Sequence, residues 1–268
     1  MRERTIRQPA VAGQFYPADR EQIRSMIRRY LDAASLPADL GRVRAVITPH
    51  AGYIYSGPTA AYAFKALAQL PARRWTVFLL GPAHRVYFRG VALGNYTAFR
   101  TPLGDVPVAV ERVAEMLSRA PLYLPVPEAH VPEHCLEVEI PFLQMVLPDF
   151  QLVPMLFGDV DPIRVGQDLI QYVGEDDLIV VSSDLSHFYP YDQARQLDKG
   201  WLEALLSEDE MAVLHGEACG KAPATALMEV ARHKGWRPHL LDYRTSGDTA
   251  GDKGQVVGYA SVVYTGPD

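Results

Sequence analysis

The stretch Val43-Arg44-Ala45-Val46-Ile47-Thr48-Pro49-His50 decides the reading of the fold. Val43–Thr48 is short and rich in β-branched residues, the composition of a buried strand. A loop follows, then a helix predicted to open near Gly57-Pro58, where proline suits a first turn. The unit recurs along the chain. Trp75–Leu80 is a second apolar run, ending at Gly81-Pro82. Gln151–Leu156 reads as a strand ahead of a helix opened by Asp161-Pro162, and Leu178–Val181 as a strand ahead of a helix over Tyr191–Leu206. Strands alternating with helices predict an α/β fold with a mainly parallel or mixed central sheet and helices on both faces.

The remaining pattern fills in around this frame. Asp19 is placed to cap a helix, with Gln22 reaching back and an apolar stripe through Ile23, Met26, Ile27, Tyr30 and Leu31. Helices are predicted over Val108–Leu117, over Cys135–Val146 with Leu136, Ile140, Leu143 and Leu147 near one face, and over Ala222–Lys234. Trp236–Thr245 and Val256–Tyr264 read as late strands that pair antiparallel, with a turn-rich loop over Gly247–Gly254 between them. No repeat, low-complexity tract or composition break divides the chain, so residues 1–268 are expected to form one domain.

Composition limits the function. Of 268 residues 48% are apolar and 22% charged, ordinary for a soluble globular chain. The formal net charge of -6 and pI of 5.8 argue against general affinity for nucleic acid or anionic membranes. No apolar run approaches the ~20 residues of a membrane span. Met1–Pro9 is polar and arginine-rich, unlike a signal peptide, so a cytoplasmic location is expected. Two cysteines far apart, Cys135 and Cys219, suggest no disulfide framework.

In open parallel sheets, ligands bind beyond the carboxyl ends of the strands. Three such ends here carry histidine: Thr48-Pro49-His50, Gly81-Pro82-Ala83-His84 and Ser182-Ser183-Asp184-Leu185-Ser186-His187. One histidine after a strand is ordinarily a hydrogen-bonded loop residue. Three at corresponding places favour a shared site. Cys219 precedes a predicted helix and adjoins Lys221, a context that favours thiolate; the alternative is a small buried apolar residue. Cys135 reads as core. Glu133, His134, Glu137 and Glu139 cluster, with Glu133 and Glu137 one helical turn apart. They either complement a helix dipole or serve the site, where His134 would orient a ligand. Asp184 either fixes a histidine tautomer or caps a turn. Tyr53 and Tyr55, beside Gly52 and Gly57, either line a pocket or pack in the core.

The chain also resembles the Memo family over nearly its whole length. Arg7-Gln8-Pro9-Ala10-Val11-Ala12-Gly13-Gln14-Phe15-Tyr16-Pro17 looks like the family's opening signature. Pro49-His50-Ala51-Gly52-Tyr53-Ile54-Tyr55-Ser56-Gly57 looks like its central motif. Gly81-Pro82-Ala83-His84, Thr101-Pro102-Leu103-Gly104, Glu133–Pro141, Ser182–His187 and Ala218-Cys219-Gly220 follow in the family's order. Prokaryotic members are labelled AmmeMemoRadiSam system protein B and tend to be encoded beside a radical-SAM protein. The family is similar in fold to the catalytic subunit of class III extradiol dioxygenases.

The resemblance implies metal ligands at His50, His84 and Cys219, and an acid/base role for His187. Asp184 and His134 would be catalytic neighbours, and Tyr53 and Glu133 would bind the cofactor. The metal is expected to be iron, copper or zinc, since a His/His/Cys set is softer than the two histidines and carboxylate of the dioxygenases. Dioxygenase activity therefore does not follow from the fold. Redox or oxygen-related chemistry is the first expectation. A metal-dependent hydrolase is the second, and a non-catalytic protein with a vestigial pocket the third. The partner would be a small molecule or peptide, with a functional link to the radical-SAM protein.

Overall fold

Strand β1, Arg42–Thr48, is buried along all but its first residue. This is a computed structural model, and it describes residues 5–119 and 121–267. Strands β2 (Arg74–Pro82), β3 (Asp149–Phe157) and β4 (Asp177–Ser182) join β1 in the parallel order β1-β4-β2-β3. Burial on both faces explains why these strands read as near-continuous apolar runs. Strands β5 (Arg237–Thr245) and β6 (Val256–Gly266) extend the sheet beside β1, both pairings antiparallel as the sequence predicts. His187–Tyr189 pairs with β6, and the short strands Val91–Ala92 and Tyr123–Leu124 close the far edge. The sheet is therefore mixed.

Two crossovers set the layers. Helix α1 is Arg20–Ala33, and α2 (Tyr53–Leu67) carries the chain from β1 across β4 to β2. After α3 (Val110–Arg119) and α4 (Ile140–Val146), helix α5 (Pro162–Leu169) returns it from β3 across β2 to β4. Right-handed crossovers in opposite directions place their helices on opposite faces. Helices α1 and α4 pack with α2, and α7 (Lys221–Lys234) packs with α5. Helix α6 (Tyr191–Leu206) lies against β5 and β6. No helix among the described residues is long and apolar enough to cross a membrane.

Three local expectations need correction. Helix α2 starts at Tyr53 rather than near Gly57, with Pro58 inside it. Its cap is tertiary: Gly52 offers no side chain, and the Tyr53 N–H donates to Phe15 O at 2.7 Å. Gly57 is needed for packing, because a Cβ there would lie 2.5 Å from the Tyr30 ring of α1. The predicted helix Cys135–Val146 is instead a 3₁₀ turn, Glu137–Glu139, followed by α4 with Pro141 in its first turn. Proline cannot donate to a continuous ladder, so regular helix begins around it. Glu133 and Glu137 consequently do not share a helical face. Finally, the loop Gly247–Gly254 includes part of a short capped helix, Ser246–Thr249.

Candidate metal centre

The ends of β1 and β4 are in register, with Thr48 opposite Ser182 and the Ser183 N–H donating to Thr48 O at 2.9 Å. That register sets His50 beside Ser182 and Asp184. The His50 backbone N–H donates to Asp184 Oδ1 at 2.8 Å, and its Nδ1 lies 2.8 Å from Ser182 Oγ. The ring is 2% exposed. Burial, then the charge of His84, lowers its pKa to about 3. It is a neutral imidazole at neutral pH, the form that binds metal.

His84 leaves the end of β2 and is held by one carboxylate. Glu133 Oε2 accepts its backbone N–H at 2.6 Å, and Oε1 lies 2.9 Å from its Nδ1. Oε1 also accepts the backbone N–H groups of His134 and Cys135 at 3.0 and 3.1 Å. Burial opposes the charge on Glu133. The hydrogen bond and charge of His84 and these N–H groups outweigh it, and its pKa is about 2. His134 stacks on His84 with ring centroids 5.0 Å apart and planes 17° apart. Burial and the charge of His50 lower the His134 pKa to about 4.

Cys219 lies just before α7. Its N–H donates to Asp184 O at 3.2 Å, and its Sγ accepts the Asp184 N–H at 3.3 Å. Sγ lies 3.4 Å from His50 Nε2. The expectation of a thiolate-favouring context is overturned. Burial and the negative charge of Asp184 push the thiol up to about 12. The lysine does not rescue it, since Lys221 Nζ donates to Gly216 O. Thiolate would form here only when a cation takes the place of the proton.

The other named residues take distinct places. Asp184 is buried, and burial raises its pKa. His187 is half-buried on the strand beside β6, and its charge acts on both His50 and Asp184. The loop between them is tied down by Asp198, whose Oδ1 accepts the Ser186 N–H at 2.8 Å. Tyr53 is a core aromatic whose hydroxyl donates to Val138 O at 2.6 Å and whose ring packs on Tyr16 and Phe142. Cys135 is fully buried, with Sγ donating to Pro82 O at 3.2 Å; a Cβ on Gly81 would come 2.6 Å from that sulfur.

Two features of the site were not singled out in the sequence. Ser182 is the partner of His50, and Phe15 packs on His134 with ring centroids 4.7 Å apart. Phe15 arrives on an N-terminal strap that Glu137 holds. That carboxylate pairs with Arg7 and accepts the Ala10 and Val11 N–H groups and the Tyr16 hydroxyl. The spacing from Arg7 to Tyr16 was the available signal, but its partner lies about 120 residues away in sequence.

One ligand atom from each of His50, His84 and His134 lies within 4.8 Å of the others. His84, Glu133 and Cys135 make a second such group. Cys219 adjoins the first group through His50. Parallel strand ends that bring imidazoles together, with a thiol beside His50, define an α/β protein with a candidate metal site.

Residues 7–263 match the Memo-like protein family. A MEMO1 family protein of Archaeoglobus fulgidus is 38% identical over 97% of this chain and 99% of its own. One from Methanopyrus kandleri is 37% identical over 96% and 98%, and one from Aquifex aeolicus is 36% identical over 97% and 99%. The chain belongs to the Memo family. A crystal structure of an uncharacterized protein from Escherichia coli K12 shares the fold, with a TM-score of 0.52 at 17% identity, covering 84% of this chain and 100% of that one.

Proposed function

We propose that His50, His84 and Cys219 hold one metal ion, iron, copper or zinc, and that the protein carries out redox or oxygen-related chemistry on a small molecule or peptide. One observation carries the reading. Each imidazole spends its Nδ1 on a partner outside the pocket, Ser182 for His50 and the Glu133 carboxylate for His84. Nε2 is then the nitrogen each ring leaves for an ion. Metal-binding histidines characteristically engage their second nitrogen this way. Cys219 Sγ stands 3.4 Å from the His50 Nε2; His50 is already neutral, and the thiol would give up its proton as the ion binds.

When bound, such an ion supplies Lewis acidity and, as iron or copper, one-electron chemistry. The chain's own residues do the rest. Glu133 fixes the orientation of His84, and Asp184 holds the backbone of His50. His187, half-buried beside them, moves protons to and from the substrate. His134 and Phe15 form one wall of the pocket.

A second reading draws on the three-imidazole group. His50, His84 and His134 would make the ligand set of a hydrolytic zinc site, with water activated at the open position. Metal content of the protein purified without chelator separates the two. The redox reading predicts metal in the wild type and in His134→Ala but little in Cys219→Ala. Equal metal in wild type and Cys219→Ala rules the sulfur out as a ligand and leaves the three-histidine set.

A further inference from the structure

Ser182 Oγ has three close polar neighbours: the Cys135 carbonyl oxygen at 2.6 Å, Glu139 Oε1 at 2.8 Å and His50 Nδ1 at 2.8 Å. A serine hydroxyl has one proton to give and two lone pairs to fill. A peptide carbonyl can only accept, so the Ser182 proton lies toward Cys135. The other two contacts must be donated to Ser182. His50 therefore carries its proton on Nδ1, and Glu139 carries one on Oε1. An ionised Glu139 would set two acceptors against each other at 2.8 Å inside the core.

The surroundings of Glu139 agree with this count. It is 1% exposed. Three buried glutamates fall within seven residues here, and two are paired as anions: Glu133 with His84 and backbone N–H groups, Glu137 with Arg7. Glu139 is in no ion pair among the described residues. A buried carboxyl without a cation is neutral unless strong donors surround it. Burial, reinforced by the charge of Asp184, outweighs the hydroxyls of Ser182 and Thr48 and pushes its pKa well above the usual carboxylate range.

We infer that Ser182 is a positioning residue: with its own proton donated to the Cys135 carbonyl, it accepts from a neutral Glu139 carboxylic acid and locks His50 in the Nδ1–H tautomer. The Nε2 lone pair then faces Cys219, and under the metal reading above it faces the ion. The role of Ser182 toward an ion rests on that reading; the Glu139 proton and the His50 tautomer do not. Ser182 touches neither ion nor substrate and acts through His50.

The test uses the full-length chain at neutral pH, metal-free and then titrated with cobalt(II). Infrared difference spectra of wild type against Glu139→Gln should show one carboxylic-acid carbonyl band that the variant lacks. Nitrogen NMR of the His50 ring should place the proton on Nδ1 in both proteins, because in each the Ser182 proton is given to the Cys135 carbonyl. Glu139→Gln should bind cobalt(II) as the wild type does. Ser182→Ala, which removes the acceptor of the His50 Nδ1 proton, should bind it roughly tenfold more weakly. A carboxylate band from Glu139, or a proton on His50 Nε2 in the metal-free wild type, overturns the inference, and neither measurement depends on whether the alanine variant folds. The expected band and tautomer with no cobalt binding by the wild type would leave Glu139 in place and overturn the metal reading alone.

Discussion

Glu133 grips His84 twice, its Oε1 2.9 Å from the ring Nδ1 and its Oε2 2.6 Å from the backbone nitrogen of the same residue. One carboxylate thereby fixes both the chain and the ring at the end of β2. The cost of burying the anion is offset by donors that are themselves fixed by backbone geometry.

Glu133 therefore links stability to acid. Its pKa falls from an ordinary 4.5 to about 2 in the folded chain. A depressed carboxylate contributes its full stability above the unfolded pKa and loses it as pH drops through the folded value. Wild type should lose on the order of 3 kcal/mol from this group between about pH 4.5 and pH 2. Glu133→Gln should be less stable at pH 7 and lack that part of the acid slope. Urea unfolding from pH 2 to 7 measures both, and parallel slopes in the two proteins would contradict the assignment.

Cys219 predicts proton release on metal binding. Its thiol is protonated at neutral pH, with a pKa of about 12, while His50 is already neutral. Binding an ion as thiolate should displace one proton, so affinity should rise about tenfold per pH unit between pH 6 and 8. Calorimetry in buffers of different ionisation enthalpy counts the proton. Cys219→Ala should release none.

The strap that carries Phe15 depends on Glu137. Its carboxylate is the counter-charge of the buried Arg7 and also holds Ala10, Val11 and Tyr16. Glu137→Ala leaves an unpaired guanidinium in the core and should cost about 3–5 kcal/mol. Thermal or urea unfolding reads the loss. An unchanged midpoint would show that the strap is not anchored there.

Gly220 sets the position of the thiol. A Cβ at this residue would come 2.4 Å from Ser183 Cβ and 2.8 Å from Ser182 O, so the Cys219 loop must shift to admit it. Gly220→Ala should cost about 1–3 kcal/mol and weaken metal binding at least tenfold. Gly200 of α6 is the contrast. Nothing lies within 4 Å of a Cβ there, and Gly200→Ala should stabilise the fold by up to about 1 kcal/mol. Cobalt titration and melting curves on both variants check the pair.

What could be read in advance follows a physical division. His50, His84 and the Ser182–His187 segment were placed correctly at neighbouring strand ends because apolar runs mark buried strands and parallel strands share a carboxyl edge. The start of α2 was misplaced because its cap is Phe15 O, supplied from a distant segment. The helix expected over Cys135–Val146 is confined to Ile140–Val146, because Pro141 fits only a first turn and that signal was not weighed. The Cys219 context failed for another reason. Helix and lysine are local and visible, whereas burial and the approach of Asp184 are tertiary, and they dominate. Short strands such as Val91–Ala92 and Tyr123–Leu124 are too brief to carry a period.

The central claim is that sulfur and two imidazoles meet one ion. X-ray absorption at the zinc edge of the zinc-loaded full-length chain tests it most directly. The account predicts one sulfur scatterer near ~2.3 Å with two imidazole nitrogens near ~2.0–2.1 Å. A shell of nitrogen and oxygen alone, unchanged in Cys219→Ala, would contradict it.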